Sequence, residues 1–191
     1  MNKSKKVAVV GLFAAIIVVL QILSYVLPVG AFNLSFVLIP IIIGAVLYGV
    51  GTGVTLGAIF GIVVTVACIT GLDKGGLILW GVNPFCCALV CIVKGAAAGL
   101  VAGLIGKALK GKNLYLACIV SAVAVPVTNT GLFILGMLAF FKDTLYSWSG
   151  GTNLLSYIIL SLVGINFVIE LAVNLVFAPA VTSIIKGVKK I

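Results

Sequence analysis

"YGVGTGVTLGAIFG", residues 48–61, sets glycine at 49, 53, 57 and 61, four residues apart each time. In water glycine is a poor helix former, about 1 kcal/mol worse than alanine per residue. A soluble helix therefore gains nothing from such a ladder. In lipid no hydrophobic force draws helices together, and small residues that let backbones touch take over that role. Residues four apart lie on one helix face, so Gly53, Gly57 and Gly61 form a bare stripe, with Gly49 in the turn before it. Gly95, Gly99 and Gly103 repeat the device further along the chain. The stretch reads as a transmembrane helix packed closely on a neighbour.

The composition agrees. Of 191 residues, 63% are hydrophobic and 8% charged, where a soluble domain carries about 25% charged residues. A membrane-spanning helix needs ~20 apolar residues. Apolar runs at about 7–27, 36–48, 52–70, 85–106, 114–141 and 154–185 predict one all-α domain over residues 1–191, an integral membrane bundle of six transmembrane helices with short loops. The N-terminal lysines resemble a signal peptide, but the apolar run after them is long and lacks a small-residue cleavage site, so it reads as a retained first span.

The formal charge of +9 comes from twelve lysines against three acids, with no arginine and no histidine. Nine lysines cluster beside apolar runs: Lys3, Lys5 and Lys6; Lys107, Lys110 and Lys112; Lys186, Lys189 and Lys190. With six spans these fall on one side, against Lys74 and Lys142 on the other, each next to an acid. Excess lysine marks the cytoplasmic face, so both termini are expected in the cytoplasm and the chain in the plasma membrane. The charge serves topology, and no nucleic-acid partner is expected. Trp80, Tyr146 and Trp148 then lie on the outer side, where aromatic rings anchor at the interface.

Three acids and no histidine leave acid–base, triad and metal-hydrolase schemes without their parts. No catalytic residue and no cofactor is expected. "GKALKGKN" (106–113) has a phosphate-loop frame, but Asn113 stands where a magnesium-holding Ser or Thr belongs and no strand precedes it. The five cysteines are odd in number, which argues against a disulfide framework. Cys87 and Cys91 share a helix face, so a soft-metal site is conceivable. A structural metal site usually recruits four thiolate or imidazole ligands, so small apolar packing and no metal is the expectation.

Lys94 in "LVCIVKGAAAG" and Glu170 in "INFVIELAVN" lie inside predicted spans, where a charge costs about 2.5–3.5 kcal/mol on insertion scales and usually faces the bundle interior. At ~1.5 Å per residue from the outer ends, Lys94 is ~15 Å deep and Glu170 ~21 Å deep. A lysine can bridge that gap, so the two either pair with each other or hold a ligand. Asn166, Glu170 and Asn174 form a polar stripe on the last span. Asn129 follows Pro126, Asn83 precedes Pro84, and Asn33 sits in the first outer loop. One buried amide is ordinary helix glue. Several at one end of a bundle, beside prolines and tryptophan-bearing loops, favour a pocket for a small polar molecule.

The pieces "LIPIIIGAVLYGVGTGVTLGAIFG" (38–61), "NPFCCALVCIVKGAAAGLVAGLI" (83–105), "VTNTGLFILG" (127–136) and "NFVIELAVNLVFAPAV" (166–181) resemble, in this order, the substrate-binding S components of energy-coupling factor (ECF) vitamin transporters. The resemblance implies a six-helix subunit that captures a vitamin or related micronutrient from outside and docks on a transmembrane T protein with two ATPases. The implied substrate-binding residues are Asn33, Trp80, Asn83, Lys94, Asn129, Trp148, Asn166 and Glu170. Implied docking residues are Gly11 and Ala15 in the first span, where the family typically has Ala-x-x-x-Ala. The lack of histidine sets aside cobalt- and nickel-type members, and "TNTGLFILG" with "NFVIE" looks most like pantothenate-type members. Two other readings remain: a small proton- or ion-coupled permease in which Glu170 carries the proton, and a membrane scaffold without a ligand.

Overall fold

Long apolar runs bounded by glycine, asparagine and proline have one stable form in lipid, the helix, because it satisfies its own backbone groups. The computed structural model describes residues 3–26, 28–29, 32–33 and 36–188, with side chains over 7–25, 36–160, 164 and 167–188. Its helices are α1 (Lys3–Val26), α2 (Leu38–Tyr48), α3 (Val50–Thr70), α4 (Lys74–Val82), α5 (Pro84–Leu109), α6 (Leu114–Phe140), α7 (Lys142–Ser149), α8 (Leu154–Tyr157) and α9 (Ile165–Val188), with a π-helical segment Ile158–Gly164 leading into α9. A two-residue antiparallel ladder pairs β1 (Pro28–Val29) with β2 (Phe32–Asn33). The chain is an all-α membrane bundle.

Among the described residues, five helices are long and apolar enough to cross a membrane: those containing Val7–Tyr25, Val50–Thr70, Pro84–Leu109, Leu114–Phe140 and Phe167–Val188. The second expected span is a helix of 11 residues, ~16 Å long and about half a hydrocarbon core. It stops at Gly49, whose φ of +92° turns the chain directly into α3. Two stretches expected as loops carry the short helices α4 and α7. Large apolar side chains stay exposed around the bundle, among them Phe85, Leu160 and Val176, the surface expected where lipid is the solvent.

The seam of the bundle is α3 on α5. A Cβ at Gly57 would strike the carbonyl oxygen of Gly95, and one at Gly99 would strike that of Gly53. Gly61 lies on the backbone of Cys91 and Ile92, while Gly103 lies on Val50 and Gly106 on Val46. The glycines thus set α5 backbone to backbone against α3, and at Gly106 against α2. At the same end as Gly106, the Lys110 ammonium donates to the Val46 carbonyl at 3.1 Å, satisfying an orphan carbonyl at the C-terminus of α2. Pro126 stands inside α6, where a proline can break a helix. α6 runs through it as one helix, because a membrane helix tolerates a single missing donor when its neighbours re-satisfy the freed groups.

Gly57→Ala or Gly99→Ala must push two backbones apart and is expected to destabilise the bundle by about 1–3 kcal/mol, seen as a lowered melting temperature in detergent. Gly51→Ala, on the same helix but facing open space, should stay within about 0.5 kcal/mol. Equal melting of all three with the parent chain would show that α3 and α5 do not meet through their glycines.

Candidate functional site

Local sequence fixes the site before any ligand is considered. Asn83 begins α5: its Oδ1 accepts from the Cys86 N–H at 3.1 Å, and Pro84 takes the first helical position, where a missing N–H costs nothing. With that start set, Cys87, Cys91 and Lys94 stand at i, i+4 and i+7 on one face. Gly71, at φ +78°, ends α3, and Asp73 starts α4 by accepting from the Gly76 N–H at 2.9 Å. In α6 Pro126 has no N–H to offer the preceding turn, and Thr128 Oγ1 donates to the Ala124 carbonyl at 2.7 Å. Asn129 follows within that turn.

These elements enclose a cavity of about 130 Å³, lined from α1, α3, α4, α5, α6 and α9 and lying at the end of the bundle away from Gly106 and Lys110. Its walls are apolar and aromatic, including Phe60, Phe133, Phe141 and Phe167. Its polar members include one cation, Lys94, two carboxylates, Asp73 and Glu170, and the side chains of Gln21, Tyr25, Asn129 and Thr130. Lys94 stands with its ammonium 4.9 Å from the Phe133 ring centroid. Among the described residues, Asn129 Oδ1 and Glu170 Oε1 are buried with no hydrogen-bond partner. Gln21 and Tyr25, one turn apart on α1, add an amide and a phenol. Apolar walls with a few convergent polar groups are the usual form of a small-molecule site. Unpartnered buried oxygens are costly, so such a site favours a ligand that brings donors.

Of the eight residues expected to bind, Lys94, Asn129 and Glu170 line the cavity. Asn83 is exposed at its helix cap. Trp80 and Trp148 are half-buried against the apolar core and are not cavity residues. The side chains of Asn33 and Asn166 lie outside the described residues. Asn174, from the same polar stripe, donates to the Glu170 carbonyl at 2.8 Å, bonding within its own helix. Gly11 and Ala15 are exposed on α1.

Sequence reasoning overlooked Gln21 and Tyr25, although Gln21 is the one amide in the apolar run of α1 and so carried a readable signal. It also overlooked Cys68, whose sulfur joins those of Cys87 and Cys91 in the cavity wall, all three within 4.8 Å of one another.

Residues 5–182 match the family model described as "ECF transporter, substrate-specific component". The chain is 27% identical over 192 residues to the pantothenic acid transporter PanT of Lactococcus lactis subsp. cremoris (strain MG1363), covering 94% of this chain and 93% of that protein. No solved structure matches significantly. A multi-pass helical bundle with a polar cavity at one end, matched along nearly its whole length, belongs to the family of substrate-specific components of ECF transporters.

Proposed function

We propose that this chain captures a pantothenate-like vitamin from outside the cell and passes it to an ATP-driven partner module made of a transmembrane T protein and two ATPase subunits. The observation that carries the substrate class is the polar set of the cavity: one lysine ammonium beside acceptors that lack donors. Pantothenate offers a carboxylate for Lys94, and amide N–H and hydroxyl donors for Asn129 Oδ1 and Glu170 Oε1. A charge-assisted hydrogen bond is roughly twice as strong as a neutral one, so the ammonium sets the orientation. The similarity to a pantothenic acid transporter supports the same class. With the lysine-rich end cytoplasmic, the cavity faces outward, where a capture subunit needs it. The partner ATPases account for the energy, since this chain has no phosphate loop of its own. The exposed small residues Gly11 and Ala15 suit close docking of another helix. The permease reading has only the buried Glu170 in its favour, and family membership supports the capture subunit instead.

Calorimetry on the purified chain in nanodiscs should show one pantothenate bound per chain. Lys94→Gln should weaken that binding at least about tenfold, or ~1.4 kcal/mol, and Glu170→Gln by a similar factor, both with unchanged melting temperature. Wild-type affinity in both variants would remove the cavity from the binding reaction.

For the partners, a tagged chain drawn from native membranes should carry a T protein and an ATPase pair. Gly11→Leu or Ala15→Leu should release them while leaving pantothenate binding in place. Transport by the isolated chain in proton-loaded liposomes would overturn this assignment.

A further inference from the structure

The cavity wall contains a group of side chains that vitamin binding does not use. Cys68 comes from the outer end of α3, and Cys87 and Cys91 from the first two turns of α5. All three are buried, and their sulfur atoms lie within 4.8 Å of one another. Only five cysteines exist in 191 residues, yet three from two helices meet at one point. Packing alone would be served by any small apolar residue and does not require sulfur at each corner. Above them α4 closes without a side chain: a Cβ at Gly76 would strike Cys68 Sγ, and Cys87 Sγ lies 3.9 Å from the Gly76 carbonyl oxygen.

We infer that Cys68, Cys87 and Cys91 form a three-thiolate site for a zinc-class divalent cation in the wall of the cavity. Zinc–sulfur bonds are about 2.3 Å long in tetrahedral sites, which sets the sulfurs ~3.8 Å apart. Each edge of the triangle therefore needs to close by about 1 Å at most, within reach of a rotation about χ1. Thiolates select soft and borderline ions such as Zn(II) over Mg(II) and Ca(II), and with no histidine in the chain a thiolate-only set is the one available. Binding breaks three S–H bonds, forms three Zn–S bonds and releases three protons to water, with no change of oxidation state. The three thiolates and the ion together carry one negative charge. Lys94, three residues beyond Cys91, lines this cavity, as do the carboxylates Glu170 and Asp73. The cavity is the route of approach, and the fourth corner of the tetrahedron is left for water or a donor of the substrate. The ion then ties the outer end of α3 to the start of α5, where the glycine seam no longer does so.

The test uses the full chain in nanodiscs, reduced and free of substrate, titrated with Zn(II) against a chromophoric chelator. One Zn(II) per chain is expected, with a dissociation constant below about 1 µM and a rise in melting temperature. Cys68→Ser and Cys91→Ser should each weaken binding at least a hundredfold and abolish the thermal shift, while Cys86→Ser keeps both. X-ray absorption at the zinc edge should show three sulfur neighbours, a readout that stands even if a serine variant folds poorly. Absence of stoichiometric zinc, or a shell of oxygen and nitrogen alone, overturns the site. Because no vitamin is present, either result leaves the proposed capture function to its own tests.

Discussion

Everything else in this bundle depends on the backbone contact between α3 and α5. Apolar side chains gain nothing from leaving lipid for a protein interior of equal polarity, so association rests on dispersion and on how closely the helices approach. Dispersion falls steeply with separation. Glycine at 53, 57, 95 and 99 lets carbonyl oxygens of one helix sit where the other would carry a Cβ. The weak helix propensity of glycine matters little here, because an unfolded span in lipid is already helical. The same residue that would weaken a helix in water is the one that joins two helices in the membrane.

A rigid seam makes it affordable to leave polar groups unmatched nearby. Asn129 Oδ1 and Glu170 Oε1 are buried without donors, each a cost of about 1–3 kcal/mol. A loose bundle would rotate its helices to relieve that cost. Here α5 is held against α3, so Lys94, the cation of the polar set, keeps its place. The cation over Phe133 shows the same economy: the aromatic face supplies partial compensation for an ammonium in an apolar wall.

How much of this was legible in the sequence follows from how local each signal is. The glycine stripe was readable, since its period and the physics of lipid need no tertiary information. Lys94, Glu170 and Asn129 were readable because charge or amide inside an apolar run is costly wherever it lands. Trp80, Trp148 and Asn83 were not separable on the same grounds. A tryptophan near a membrane surface is an anchor, a core residue or a ligand contact, and only packing decides; Asn83 before Pro84 is also what a helix cap looks like. The cysteine trio was hidden for a different reason. Cys87 and Cys91 announce a shared face, but Cys68 joins them only because α3 returns alongside α5. The 11-residue length of α2 was likewise set by where Gly49 turns the chain.

The position of the cavity follows from where the seam ends. Counting outward from Gly106, the contacts are glycine on backbone through Gly103, Gly99, Gly95 and Gly61. Beyond Gly61, α3 continues with Val64 and Cys68, while α5 runs back through Cys91 and Val90 to Cys87. Side chains now stand where bare backbone stood, and two helices carrying them cannot stay in backbone contact. The space that opens is lined by these same residues, with Phe60 and Lys94 at its inner limit. One stripe therefore does two things: where it is present it joins the helices, and where it stops the cavity opens. Moving the last glycine one turn outward would extend the seam and shrink the cavity, so the length of the stripe, as much as any polar residue, determines what the site can hold.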